Sequence, residues 1–598
     1  MSPANIRRIV IVILGLALAV IVGPYRIVGD YAQFIIAALS FYFIAVLSVN
    51  MLAGLCGIWS MGHTAYMAIG AYTAANLTKM GMPVEVIVLA AIALSFAVGF
   101  ILGLSAGRFS VLYFGLLTMA LALAGTEIIG HWTAVTGGDD GMKVGRATTI
   151  FWKDPIETKN AAMICVILAT LVYLVGEAVS NSQLGRRWLA VKGQRIASMA
   201  IGLKPHVENA TAFGLSSAIA SLSGIGMAFS MAYIDPVAFS LDSGVTLIVG
   251  TVVGGIGSSL GAVIGAGFIT AVPELARDAA AIANFVYGGA MILVLLFLGE
   301  GIVPAIKHRI RHWKGRDKVK SDIPRQAVDA AAMAQLVSEL MPRARETLSL
   351  KNVSVQFAGL KALDDVSFDL PPGTAVGLIG PNGAGKTSLL NVLSGFYKPV
   401  AETRVMLGER NILELQPSGR AALGMGRTFQ HAELFPELTL RQMLVTVAGL
   451  GRPLRRANNI ALNEPTAVAE RIIQGLGLGP YADYLPPELP FGVQKVADIG
   501  RVLAIGASVV SMDEPFSGLD EHERSELRAI LRGMRSAGVS ILIIDHAVQE
   551  VLSLADKVVV LDFGRMLASG LPEEIRRDPE VMKAYFGSAH HIEEPANV

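Results

Sequence analysis

The stretch Gly380-Pro-Asn-Gly-Ala-Gly-Lys386-Thr387 has the spacing G-x-x-x-x-G-K-[ST]. A loop of this kind turns backbone N–H groups onto the phosphates of a nucleoside triphosphate. The apolar run Thr374–Ile379 before it reads as a buried strand, and Thr387–Leu393 after it as the start of a helix. Phosphate would then lie at a helix N-terminus, where unpaired N–H groups and the helix dipole favour an anion. Gly380, Asn382, Gly383, Gly385 and Ser388 belong to this cradle, Lys386 reaches the β- and γ-phosphates, and Thr387 helps hold Mg²⁺. Hydrolysis also needs a metal anchor and a base. Val509-Val-Ser-Met-Asp513-Glu514 reads as a buried strand ending in two acids, Asp513 for Mg²⁺ and Glu514 to polarise the attacking water. His546 closes the next apolar strand, Ile541-Leu-Ile-Ile-Asp-His546, on the same sheet edge, within reach of the γ-phosphate.

The elements around this chemistry divide the chain. It has 598 residues, too many for one core, and is 53% hydrophobic but only 16% charged, with a mean hydropathy of +0.55. That is a membrane protein averaged with a soluble one. A net charge of +1 gives no argument for nucleic acid or another polyanion. The two cysteines, Cys56 and Cys165, lie far apart in apolar stretches and read as reduced packing residues. No cleavable signal pattern is expected, because further spans follow the first apolar run.

From Arg7 to about Pro304 long apolar runs alternate with short polar breaks. Spans are expected near 8–24, 31–53, 56–78, 84–106, 111–131, 161–180, 208–232 and 285–304, with a broken apolar region at 244–272. Arg7 and Arg8 place the N-terminus in the cytoplasm, and six spans return the chain there at 181–207, which carries Arg186, Arg187, Lys192, Arg195 and Lys204. Glycines at every fourth residue, Gly99/Gly103/Gly107 and Gly257/Gly261/Gly265, suit close helix packing. Glu127 sits about one turn from the outer end of its span and is expected to snorkel or pair locally. Between the last span and the soluble part, 305–345 reads as a linker with a basic juxtamembrane run from Lys307 to Lys320 and an Ala-rich helix, Val328–Met341. From Glu346 short apolar strands alternate with helices, the pattern of an α/β fold with a mostly parallel sheet.

The half from about 346 to 590 resembles the ATPase subunit of ABC transporters. Gln430, in Arg427-Thr-Phe-Gln430, matches the glutamine that senses Mg²⁺ and couples to the membrane partner. Leu489-Pro-Phe-Gly492-Val-Gln494 stands at the signature position, so the resemblance makes Pro490, Gly492 and Gln494 contacts for a nucleotide held by a second ATPase. Ser517-Gly-Leu-Asp520 matches the D-loop, and Phe357 lies where an aromatic stacks on adenine, with a core strand position as the alternative. Pro490 replaces the usual serine, and a proline there resembles the ATPases of branched-chain amino acid importers. The membrane half is similar to the permeases of that family through Ser48-Val-Asn-Met-Leu-Ala-Gly54, Ser60-Met-Gly-His63, Gly70-Ala-Tyr72, Thr136-Gly-Gly-Asp-Asp-Gly141 and Val253-Gly-Gly-Ile-Gly-Ser258.

The resemblance implies an all-α polytopic membrane domain followed by an α/β P-loop ABC ATPase domain. The expected boundaries are 1–304 for the permease, 305–345 for a cytoplasmic linker, 346–590 for the ATPase and 591–598 for a tail. It implies ATP and Mg²⁺, a second permease and a second ATPase, an external solute-binding protein, a small-molecule substrate and no nucleic acid, at the bacterial inner membrane. The rival readings are an ABC exporter or flippase, and a membrane-tethered regulatory ATPase. Two further expectations concern geometry. The region 244–272 must cross the membrane twice or not at all, because the loop 181–207 and the ATPase share one side, and two short helical segments forming a re-entrant hairpin or a pair of incomplete spans are expected there. Arg187–Gly202 is expected to couple the halves, with Leu189, Ile196, Met199 and Ala200 on one helical face and Ile196, Met199 and Ala200 packed near Gln430 and His431–Leu438.

Overall fold

A computed structural model describes residues 3–22, 29–106, 109, 111–146, 148–150, 161–275, 301–313, 328–344, 346–357, 359–400 and 402–586, with isolated positions between 285 and 297. The chain divides into two compact units, Met1–Trp188 with Pro205–Lys318, and Leu189–Lys204 with Val319–Val598.

The first unit is helical: α1 (Pro3–Val22), α2 (Asp30–Cys56), α3 (His63–Lys79), α4 (Val84–Ala106), α5 (Val111–His131), α6 (Ala161–Ser180), the start of α7 (Gln183–Gly193), then, beyond α8 (Arg195–Ala200) in the second unit, α9 (Pro205–Met231), α10 (Leu241–Gly254), α11 (Ser259–Leu275) and α12 (Ile302–Trp313). Among the described residues, α2, α4, residues Leu112–His131 of α5, α6 and α9 are long and apolar enough to cross a membrane. Helix α9 lies at the centre against α2, α3 and α4. Small residues permit this approach: a Cβ on Gly103 would come 2.8 Å from the Ala210 Cα, and one on Gly99 3.2 Å from the Gly214 Cα. The glycine spacing in α4 therefore serves packing, while Gly107 lies outside the described residues. Buried hydroxyls return to carbonyls of their own helix, as Ser217 does to Phe213 O at 2.8 Å, or of a neighbour, as Ser216 and Ser223 do to Ser48 O and Phe41 O of α2, each at 2.7 Å. Glu127 is exposed, with its carboxylate 3.7 Å from His131 Nδ1 one turn on. Cys56 and Cys165 are buried and free.

Two expected spans differ. Gly57, at φ 68°, ends α2, and the next helix begins only at His63, so the span expected at 56–78 is a 17-residue helix. The span expected at 285–304 is described only in part, at 285, 288, 289, 291–293, 296, 297 and 301–304, and its described positions up to 297 are helical. Its final positions belong instead to α12, which starts after Gly301 at φ 95°. The broken region is two helices, α10 and α11, separated at Gly255–Ser258, where Gly255 and Gly257 adopt φ 108° and 75°. Asn50 of α2 answers the backbone groups freed by the break. Its amide donates to Gly255 O at 2.8 Å, and its carbonyl accepts from Gly257 N at 2.9 Å and Ser258 N at 3.1 Å. Irregular backbone inside an apolar bundle needs such partners.

In the second unit, α13 (Ala330–Leu340) precedes β1 (Leu348–Phe357), β2 (Leu360–Leu370), β3 (Ala375–Ile379), α14 (Lys386–Ser394), β4 (Arg404–Leu407), β5 (Arg410–Asn411), α15 (Pro417–Ala422), β6 (Met425–Arg427), α16 (Leu440–Ala457), α17 (Pro465–Gly475), α18 (Phe491–Ile505), β7 (Val509–Asp513), α19 (Glu521–Ser536), β8 (Ser540–Ile544), β9 (Lys557–Asp562) and β10 (Arg565–Gly570). One sheet runs β10-β9-β3-β8-β7-β6, parallel except at β10, and a second, antiparallel sheet runs β2-β1-β4-β5. Strands β3, β7 and β8 are almost wholly buried and read as continuous apolar runs for that reason. Helix α13 buries Met333, Leu336, Val337 and Leu340 in the core of this unit, against α17 and α19. The segment expected as a linker thus supplies part of that core.

Candidate functional site

The parallel register sets the chemistry at one edge. Ile544 pairs with both Leu378 and Asp513, so the carboxyl ends of β3, β7 and β8 lie level. Ligands of open α/β sheets bind outside such ends. The loop after β3 turns through Gly380, Gly383 and Gly385 at φ 154°, 84° and 97°, a conformation that side chains resist. Gly385 caps α14 without any side-chain hydrogen bond, which leaves first-turn N–H groups free for an anion. Lys386 is buried, and its Nζ donates to Gly380 O at 2.6 Å and Pro381 O at 2.9 Å. Burial pulls its ammonium below the usual lysine range, while Glu514, Asp513 and Asp545 push it back. Asn382, Gly383 and Thr387 are exposed and Ser388 half-buried along the same loop and helix. A cationic loop facing carboxylates at a helix N-terminus fits a phosphate chain bridged by a divalent cation.

Facing it, Asp513 ends β7, and its Oδ2 accepts from Arg427 Nη2 at 3.0 Å. Glu514 follows at φ 46°, a left-handed backbone stabilised by its N–H to Ile544 O at 2.7 Å. Gln430 Nε2 donates to Glu514 Oε2 at 2.8 Å, and His546 Nδ1 lies 3.4 Å from the same oxygen. Strand β8 ends at Ile544, so His546 stands on the turn beyond it and is more than half exposed. Gln430 and His546 thus converge on one carboxylate oxygen of Glu514, with Asp513 next to it in the chain.

The signature residues are placed elsewhere. Pro490 caps α18, Gln494 Nε2 donates to Leu489 O at 2.9 Å, and a Cβ on Gly518 would lie 2.8 Å from the Phe491 ring. Gly492 adjoins the Glu523 carboxylate. Asp520 caps α19 by accepting from Glu523 N at 2.8 Å. Among the described residues, no hydrogen bond joins Pro490, Gly492, Gln494 or Asp520 to the phosphate loop of their own chain. Phe357 is not in the core. It is 44% exposed at the end of β1, its ring 5.0 Å from that of Tyr397.

Some residues escaped the sequence reading. Lys495 is buried on α18 and donates to Gln430 O at 2.6 Å and Glu514 O at 3.1 Å. Asp498 accepts from Phe429 N at 3.2 Å, and Arg501 donates to Arg427 O at 2.7 Å. The stripe 495/498/501 was visible as charges three residues apart in an otherwise apolar helix. Asp545, fully buried, accepts from Phe516 N and Ala547 N, both at 2.9 Å, and fixes the turns after β7 and β8.

Residues 31–295 match a family model described as a branched-chain amino acid transport system permease component. Residues 363–517 match one for ABC transporters, and 565–591 one for branched-chain amino acid ATP-binding cassette transporters. The high-affinity branched-chain amino acid transport ATP-binding protein LivG of Escherichia coli (strain K12) is 36% identical over 255 residues, covering 40% of this chain and 98% of that protein. The chain belongs to the branched-chain amino acid ABC transporter family. Permease and ATPase share its one polypeptide, and its ATPase hydrolyses ATP in a reaction coupled to transport. The ATP-binding protein BraF of Pseudomonas aeruginosa is 33% identical over 258 residues, covering 41% of this chain and 99% of that protein. The lipopolysaccharide export system ATP-binding protein LptB of E. coli (strain K12) is 29% identical over 241 residues, covering 40% and 97%.

In this transporter the segment Leu189–Lys204 is part of the ATPase unit. It is not one helix. Gln194, at φ −142° and ψ 88°, separates α7 from α8, so Leu189, Ile196, Met199 and Ala200 do not share a face. Ala190, Val191, Ala197, Ile201 and Leu203 are the residues buried in the core that holds Leu434, Phe435 and Leu438. Ile196 is 54% exposed, against expectation, because the break at Gln194 rotates it outward. A Cβ on Gly193 would come 2.7 Å from the Pro436 ring, and Lys192 Nζ pairs with Glu437 at 2.8 Å. Ala200 is buried and Met199 half-buried, and α8 lies against α15. The segment therefore docks beside residues 434–438, as expected, through a different set of side chains.

Proposed function

We propose that the chain is one permease and one ATPase of an importer for branched-chain or related small amino acids in a bacterial inner membrane. The observation that carries this is a permease of that transport system, matched at 31–295, on the same chain as its ATPase. Lys386 and the free N–H groups of α14 bind the phosphates of ATP, and Phe357 offers a ring to the adenine. Thr387, Asp513 and Gln430 would hold Mg²⁺, which neutralises charge developing on the phosphates. Glu514, oriented by Gln430, takes a proton from the attacking water, and His546 reaches the γ-phosphate. Pro490, Gly492, Gln494 and Asp520 make no hydrogen bond to their own loop among the described residues, which suits a site completed by a second ATPase. A second permease, an external solute-binding protein and no nucleic acid complete the assembly, with the ATPase in the cytoplasm. Leu189–Lys204 transmits ATPase closure to the permease.

Export is the second reading, supported by the relative from a lipopolysaccharide export system. The test is uptake of labelled leucine, isoleucine and valine by right-side-out membrane vesicles containing the full complex and its binding protein. Import predicts ATP-dependent accumulation. ATP-driven loss of preloaded amino acid would establish export, and ATPase activity indifferent to every solute would leave a regulatory ATPase.

A further inference from the structure

The docking segment leaves the first unit after Trp188 and returns to it at Pro205. The two points of departure are tied together. Arg187 Nη2 donates to Glu208 Oε1, an ion pair between α7 and the first turn of α9, 21 residues apart. The Glu208 side chain is 3% exposed. Among the described residues its second carboxylate oxygen and Arg187 Nε have no hydrogen-bond partner, so Arg187 is the counter-charge on which Glu208 depends. A carboxylate buried this deeply stays with its guanidinium, because separation leaves an uncompensated charge. Helix α9 continues from Glu208 for 23 more residues to Met231, and its buried face packs on α2, α3 and α4.

We propose that the Arg187–Glu208 ion pair is a positioning clasp that passes displacement of the docking segment into α9. With the clasp closed, the two ends of the segment move as one body, and α9 carries that movement through the bundle. With it open, each end can yield separately and the displacement is lost in the loop. The inference rests on the reading of Leu189–Lys204 as the coupling segment, and the experiment separates the two.

The experiment measures hydrogen exchange with and without ATP in the full-length protein carrying Glu514→Gln, at peptides covering 189–204 and 205–213. With the clasp intact, ATP alters exchange at both. Adding Glu208→Gln, which is isosteric, is expected to leave the response at 189–204 and to cut the response at 205–213 by about 2- to 30-fold, the range by which residues along a coupling network act. The exchanged pair Arg187→Glu/Glu208→Arg is expected to restore it, which a merely structural role would not require. An unchanged response at 205–213 in Glu208→Gln overturns the clasp. A response at 189–204 but none at 205–213 in the parent also overturns it, while leaving the coupling segment in place. No response at either peptide refutes the coupling segment itself.

Discussion

Arg427→Met separates the worth of a buried charge from that of a surface one. The Arg427 guanidinium is 6% exposed and pairs with Asp513, itself 8% exposed, at 3.0 Å. It also donates to Asn391 Oδ1 at 2.7 Å and Ser394 Oγ at 3.1 Å, and lies 5.0 Å from the Phe429 ring centre. Methionine keeps the apolar stem and removes all of this, leaving Asp513 buried without its counter-charge. Breaking such a pair from one side costs about 3–5 kcal/mol. At about 2 °C per kcal/mol for a domain of this size, the unfolding midpoint should fall by at least roughly 6 °C. The control is Arg471→Met. Arg471 pairs with Glu339 at 2.7 Å, but both side chains are about one-third exposed, and such pairs are worth about 0–1 kcal/mol. Differential scanning calorimetry of the nucleotide-free protein, with ATPase rates in parallel, makes the comparison. Equal midpoints for the two variants would refute the argument that Asp513 depends on Arg427, whatever happens to turnover.

Glu514→Gln should retain ATP binding and lose turnover, because an amide cannot take a proton from water; wild-type hydrolysis by the purified complex would remove Glu514 as base. Ile201→Glu should bury a charge in the core that the docking segment enters and lower solute-stimulated ATPase with nucleotide binding intact, whereas Ile196→Glu, at an exposed position, should leave both unchanged. Equal effects of the two substitutions in paired ATPase and binding assays would mean that the docked face is misassigned. The hydrogen bonds from Arg471 hold the Glu339 carboxyl below its usual range. Its contribution is therefore full above the unfolded value of about 4.3 and lost as pH falls through the lower native value, by at most about 1 kcal/mol at this exposed pair. Wild type and Arg471→Met should accordingly converge in stability below about pH 4, as followed by denaturant unfolding.

The nucleotide site was legible because its signals are local. Glycines that need left-handed backbone, a strand ending in acids and a helix start all lie within a few residues of one another, and the parallel register then brings Lys386, Asp513 and Glu514 together without further instruction. The stripe Lys495/Asp498/Arg501 was equally local but reads as solvated charge until Phe429 and Gln430 are seen against it. The docking segment shows a different difficulty. Its helical spacing runs across Gly193-Gln194, where the glycine is the one residue type that announces a break, so the right segment is paired with the wrong face. The role of Asn50 was beyond sequence reasoning, because its partners lie more than 200 positions away at Gly255–Ser258. The glycines there show that the backbone breaks, but not what answers it.

Plug and socket lie on one polypeptide: residues 190–203 insert beside residues 434–438 of the same chain. Docking is then intramolecular, and its strength is set by local concentration, which short tethers raise to the millimolar range. Such a transporter escapes competition, since no free ATPase can displace the one already attached. It also tolerates a poor fit, because a socket weakened tenfold would still be filled. Cutting the chain between Trp313 and Val328 would expose that weakness, turning a silent substitution at Leu434 or Phe435 into a dilution-sensitive one.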